Sequence, residues 1–170
     1  IGVSTPIIYS LLFLIGSFKL SFDFFKNFLK ISSENFSQKL WKNYNEKIDL
    51  FILAFFLGPL LAAIIFESTL YNGWRHLYFI YPALIYISIF GLNYILSFKV
   101  NKFFVYGVFS IIFFSIMINI FNLVKLHPYQ NIYFNSLVEK KANILFEIDY
   151  WGSGNAHSIA KILDNTNKFE

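Results

Sequence analysis

Residues 103–124 read FFVYGVFSIIFFSIMINIFNLV, 22 positions without a charged side chain. A helix of about 20 residues, rising about 1.5 Å per residue, crosses the roughly 30 Å hydrocarbon core of a bilayer. The stretch therefore predicts a transmembrane helix. Asn119 and Asn122, near its end, are expected to face other helices or a polar cavity rather than lipid. Working back from it, residues 99–102 form a tight basic turn, and residues 77–98 are a second apolar run of spanning length with Pro82 about one turn inside its start, where proline is tolerated. Residues 67–76 are a short polar connection. Before them, residues 50–66 predict another crossing, kinked at Gly58-Pro59 because proline removes a backbone hydrogen bond that neighbouring helices must make good. Residues 1–18 are about long enough for one more, with Ser4, Thr5 and Pro6 near its start suggesting an entry turn or a packed interface. Four crossings make the chain a mainly α, polytopic membrane protein.

Composition supports that class. Hydrophobic residues make up 56% of the chain and charged residues 14%, against about a quarter charged in soluble domains. With no cysteine, disulfides, thiolate metal sites and thiol nucleophiles are excluded. The net charge of +4 comes from lysines gathered in a few segments, which in a membrane chain report orientation rather than nucleic-acid binding. The chain opens on Ile1, already inside an apolar run, with neither a basic region before that run nor a small-residue cleavage site after it. It reads as part of a larger protein, whose remaining N-terminal helices are expected partners.

Residues 19–49 carry Lys19, Lys26, Lys30, Lys39, Lys42 and Lys47. Phe22, Phe25, Phe28 and Leu29 recur at helical spacing opposite Lys19, Lys26 and Lys30, as in an amphipathic helix lying on a membrane surface; an ordinary connecting loop with a helical turn fits equally. Positive charge flanking helices marks the cytoplasmic side, which puts residues 19–49 and 99–102 inside. Residues 67–76 and everything after Lys125 then lie outside. The tail, 125–170, is less apolar. Pro128 disfavours helical geometry at His127 and should end the fourth helix there. Ile144, Phe146 and Ile148 alternate with Leu145, Glu147 and Asp149, a strand pattern over 142–150. Over 153–163, Ala156, Ile159, Ala160 and Leu163 share one helical face, with Ser153 or Asn155 as N-cap. A strand–turn–helix of this size rarely stands alone. It should pack on the membrane part or, as favoured here, begin a larger soluble domain.

Three blocks give the chain a family likeness: Tyr71-Asn72-Gly73-Trp74-Arg75-His76 with Phe79 and Pro82; His127-Pro128-Tyr129-Gln130-Asn131-Ile132-Tyr133-Phe134-Asn135; and Asp149-Tyr150-Trp151-Gly152. In that order, over roughly residues 50–165, they resemble the C-terminal part of bacterial polytopic GT-C glycosyltransferases, relatives of the protein O-mannosyltransferases and lipid A aminoarabinose transferases. The resemblance implies transfer of a sugar from a polyprenyl-phosphate donor to an acceptor on the extracytoplasmic side of the inner membrane. It implies donor-phosphate binding at Arg75, His76 and Tyr71, and acceptor or domain contacts at Asp149, Tyr150, Trp151, His127, Tyr133 and Asn135. The catalytic carboxylate of that superfamily lies in the first external loop near the N-terminus, a region this sequence does not contain, so no catalytic residue is assigned.

The chemistry of the residues runs in the same direction. Arg75 carries a planar donor fork that stays charged at every relevant pH, at the outer start of a helix where a lipid-linked phosphate would sit. His76 could add a hydrogen bond or a second positive charge. Trp74, Arg75, His76 and Tyr78 equally suit an interfacial belt that anchors the helix, and Arg75 could instead pair with Glu67 or Asp149. Asp149 before a turn more often binds backbone amides than substrate; with Glu147 on the same strand face a carboxylate pair is conceivable, though spacing alone does not make one. His127, His157 and the acidic residues lack metal-ligand spacing, so no resident metal is expected, while a divalent ion bridging the donor phosphate stays open. Gly-rich phosphate loops and serine nucleophile elbows are absent. The alternative is a non-catalytic membrane module, a transporter piece or assembly scaffold, in which Asn119, Asn122 and Pro59 serve helix packing.

Overall fold

The computed structural model describes residues 2–29, 41, 43–69, 76–98, 101–146, 148, 152 and 154–166. Four long helices dominate it: α1 (Ile7–Leu29), α2 (Tyr44–Ile65), α3 (Tyr81–Ser97) and α4 (Lys102–Lys125). Each is long and apolar enough to cross a membrane, α3 together with the 3-10 turn Tyr78–Ile80 that leads into it. The chain is thus a mainly α, polytopic membrane protein.

Helix boundaries follow local chemistry. Asn43 caps α2, its side chain accepting from the Glu46 amide at 2.9 Å, and Asn101 caps α4 by accepting from the Phe103 amide at 3.2 Å, each satisfying a donor that a helix start leaves open. Pro82 sits in the first turn of α3. Helix α2 continues through Pro59. Two boundaries differ from the sequence reading. Helix α1 runs on to Leu29 instead of stopping near Phe18, because Lys19 and Asp23 pair at 2.7 Å, one turn apart, so that these charges support the helix rather than ending it. Phe22, Phe25, Phe28 and Leu29 form an exposed stripe on this continuous helix instead of on a separate surface one. Helix α2 starts at Tyr44, earlier than expected, where its cap lies.

Helices α1 and α3 run parallel in closest contact. Gly16 lies against Gly91, Ser88 Oγ donates to the Tyr9 carbonyl at 3.0 Å, and Lys19 Nζ sits over the Tyr94 ring, 5.2 Å from its centroid. Helix α2 is antiparallel to both, with Phe13 against Phe56 at a centroid separation of 4.5 Å and Phe55 against Phe79 at 5.9 Å. The core is Leu20, Leu53, Phe56, Ile80, Ala83, Leu84 and Ile87, apolar side chains from all three helices. Helix α4 buries none of its residues. Its outward Phe and Ile side chains need no protein partner where lipid tails are as apolar as they are.

After α4 the chain turns through a cis His127–Pro128 bond and 3-10 turns at Gln130–Ile132 and Glu139–Lys141, into the short helix α5 (Ala142–Leu145); the last described element is α6 (Asn155–Thr166). The strand expected over 142–150 is corrected over 142–146; residues 147, 149 and 150 lie outside the described residues. Residues 142–145 are helical, the Phe146 amide donates back to the Ala142 carbonyl at 2.9 Å, and no strand occurs among the described residues. A strand needs a neighbour for its backbone groups; without one, residues 142–146 close their hydrogen bonds on themselves, and Phe146 stacks on Phe134 at 5.2 Å. The expected helix after it is present. Asn155 is its first residue rather than its cap, and Ser153 lies outside the described residues. Gly152, at φ 60°, makes the turn into α6, with the Asn155 amide bonded to its carbonyl at 3.1 Å; that left-handed backbone favours glycine.

Candidate functional site at the tail end of the bundle

The parallel run of α1 and α3 puts both of their starts, together with the ends of α2 and α4, at one end of the bundle. Lys19, Lys26, Lys47 and Lys102 gather at the other.

At the tail end three side-chain pairs shape residues 127–138. Gln130 Nε2 lies 2.8 Å from His127 Nδ1; an amide nitrogen only donates, so a neutral His127 carries its proton on Nε2. The Tyr133 hydroxyl donates to Asn119 Oδ1 at 2.7 Å, while Asn119 Nδ2 donates to the Ser115 carbonyl of its own helix at 2.7 Å. Burial, and then the charge of Glu139, push the Tyr133 phenol above its ordinary value, since both disfavour the phenolate. Asn135 is 3% exposed. Its Nδ2 donates to the carbonyls of Gly2 at 2.8 Å and Thr5 at 3.0 Å, its backbone amide to the Val3 carbonyl at 2.8 Å, and its Oδ1 accepts from the Leu137 amide at 3.3 Å.

Of the residues singled out in the sequence, His76, His127, Tyr133 and Asn135 are therefore at one end of the bundle. His76 and His127 are exposed there, and Tyr133 and Asn135 join the tail to α4 and to the approach to α1. Tyr71, Arg75, Asp149, Tyr150 and Trp151 lie outside the described residues. Asn119, expected to meet a helix or a polar cavity, meets Tyr133. Among the described residues no group of three His, Asp or Glu side chains could hold a metal ion, and no residue is assigned to one.

Sequence reasoning missed the polar joint at the lysine end. There Asp23, Glu46 and Asp49 face a small cleft closed by Phe24, Trp41 and Phe90. Each carboxylate has a partner: Asp23 pairs with Lys19, Glu46 Oε1 accepts from Asn27 at 3.2 Å, and Asp49 Oδ1 accepts from the Tyr86 hydroxyl at 2.6 Å. The i,i+4 spacing of Lys19 and Asp23 was the one signal available. The other two pairs join residues far apart in the chain. Thr5, in the stretch read as an entry turn or packed interface, is 1% exposed, and its carbonyl receives Asn135.

The fold defines an integral-membrane helical protein with a polar segment folded over one end of its bundle. Comparison of the chain with protein-family models, curated proteins and solved structures finds no match.

Proposed function

We propose that the chain is the C-terminal part of an integral-membrane glycosyltransferase that moves a sugar from a polyprenyl-phosphate donor to an acceptor outside the cytoplasmic membrane of a bacterium. One observation carries the reading. His76 and the segment from His127 to Asn135, which belong to two of the three blocks behind the family likeness, share the end of the bundle opposite Lys19, Lys26, Lys47 and Lys102. With lysines marking the cytoplasmic side, that end faces outward, where a lipid-linked sugar presents its phosphate at the bilayer surface.

In the reaction the bond between the sugar's anomeric carbon and the donor phosphate oxygen breaks, and a bond to an acceptor oxygen forms. The bonding pair leaves with the phosphate, and the acceptor's proton goes to a base that no residue of this chain is assigned to supply. Arg75 and His76, with Tyr71, hold the phosphate as its charge grows, a stabilisation worth several kcal/mol (about 3) for a preorganised donor. A divalent ion on the phosphate would act in the same sense. His127, Tyr133, Asn135 and the block Asp149, Tyr150 and Trp151 contribute acceptor or domain contacts.

The test is sugar transfer by the full-length protein in membrane vesicles supplied with polyprenyl-phosphate mannose or polyprenyl-phosphate aminoarabinose. Arg75→Ala should lower transfer about a hundredfold with insertion into the membrane intact. Unchanged transfer would remove the phosphate role. Absence of transfer by the unaltered protein with either donor would favour a non-catalytic membrane module.

A further inference from the structure

We infer that Asn135 is a positioning residue, a latch that closes the segment after α4 onto the approach to α1, and that the acceptor or domain contacts proposed for this segment are made only with the latch closed. The inference rests on the glycosyltransferase reading for its second half alone. Asn135 joins stretches 130 or more positions apart: the carbonyls of Gly2, Val3 and Thr5 all receive its donors, its side-chain oxygen takes the Leu137 amide, and its carbonyl takes the Val138 and Glu139 amides. Every bond runs to backbone, so the contact reads the path of the chain and not the identity of the side chains at positions 2–5. Asn135 and Thr5 are both buried, which removes water as a substitute partner and makes the carboxamide hard to replace.

Asparagine suits the task chemically. Two carbonyls converge on Nδ2, and only a side chain with two donors on one nitrogen and an acceptor beside it satisfies all three groups. Aspartate is the same size yet would set a carboxylate against two carbonyl oxygens. Glutamine keeps the chemistry but is longer by a methylene, which shifts its carboxamide away from the three partners it must meet. The latch sits two residues beyond Tyr133, which the Asn119 bond ties to α4. Residues 133–135 are thus held at both ends, by α4 and by the approach to α1. Opening the latch frees one of those ends, and reacting groups held even about 1 Å out of place lose on the order of a hundredfold in rate.

The experiment uses the full-length protein in membranes, with its native lack of cysteine in this region as background. Gly2→Cys and Ser136→Cys, both at exposed positions, are joined by a short bis-maleimide. Cross-linking should be efficient with Asn135 present, fall about tenfold in Asn135→Asp and Asn135→Ala, and separate the latch from any catalytic question. Sugar transfer by Asn135→Asp should drop by about ten- to a hundredfold and recover when the two cysteines are cross-linked in that variant, which a group acting chemically on substrate would not do. Equal cross-linking with and without Asn135 overturns the latch. Efficient, Asn135-dependent cross-linking with transfer indifferent to Asn135→Asp overturns its role in the site, and absence of transfer in the parent protein overturns the glycosyltransferase reading while leaving the latch standing.

Discussion

Gly16 and Gly91 meet backbone to backbone: a Cβ placed on Gly91 would lie 2.9 Å from the Gly16 amide nitrogen and collide with the Leu12 carbonyl, and one placed on Gly16 would lie 3.1 Å from the Gly91 amide nitrogen and collide with the Ile87 carbonyl. In lipid, where helix association draws on van der Waals packing rather than on water exclusion, small residues at the crossing permit that approach. Ser88, bonded to both the Leu84 and Tyr9 carbonyls at 2.8 and 3.0 Å, lies on the same face of α3 and reinforces it.

Gly91→Ala should accordingly separate α1 from α3 and cost about 1–3 kcal/mol, the usual range for overpacking. Gly58, whose added Cβ would meet nothing within 4 Å, is the control, and Gly58→Ala should be neutral or stabilising. Thermal unfolding in detergent measures both. Equal midpoints for the two variants would mean that the glycine contact is not what holds the crossing together.

The Tyr133–Asn119 bond should contribute about 0.5–1.5 kcal/mol. Tyr133→Phe and Asn119→Ala should each destabilise, and the double variant should cost less than their sum; additive effects would show that the two side chains do not interact.

Because the Tyr133 phenol is pushed upward in the folded protein, folding favours its protonated form. Its contribution is complete below the unfolded value of about 10 and is lost as pH rises through the higher folded value. Denaturant unfolding followed from pH 8 upward should therefore show stability falling above pH of about 10, with a shallower fall in Tyr133→Phe. A slope identical in the two proteins would contradict the burial of this hydroxyl.

At the lysine end, Tyr86→Phe should cost about 1 kcal/mol by removing the donor to Asp49, a modest figure because the pair is solvent-exposed. Asp49→Asn keeps an acceptor and should cost less. If Asp49→Asn is the more damaging of the two, the carboxylate has a task beyond accepting from Tyr86.

Topology can be checked with single cysteines at Lys26 and Ser136, exposed residues at opposite ends of the bundle. A membrane-impermeant maleimide should label only Ser136→Cys in right-side-out vesicles and only Lys26→Cys in inverted ones. Labelling of both from one side would contradict the arrangement of the four helices across the bilayer.

The four spanning helices were legible in the chain itself, because a run of some 20 apolar residues is matched to the bilayer locally, residue by residue. Where two charges could pair, as at Lys19 and Asp23, the helix outran the apolar run and its end was misplaced. The candidate site was legible only as blocks of residues. His76, His127, Tyr133 and Asn135 stood out by type, but nothing in their spacing said that Asn135 would bond to positions 2, 3 and 5. The alternation misled over 142–146 because periodicity proposes a strand, while a strand exists only where a neighbour takes its backbone hydrogen bonds.

Class and number of crossings thus come from transfer energies that each segment carries alone. The glycine contact between α1 and α3, the Asn27–Glu46 and Tyr86–Asp49 pairs at the lysine end and the Asn135 latch come from folding. Each depends on two backbones or side chains brought within about 3 Å from distant parts of the chain, and hydrogen bonding and close packing act only at that range.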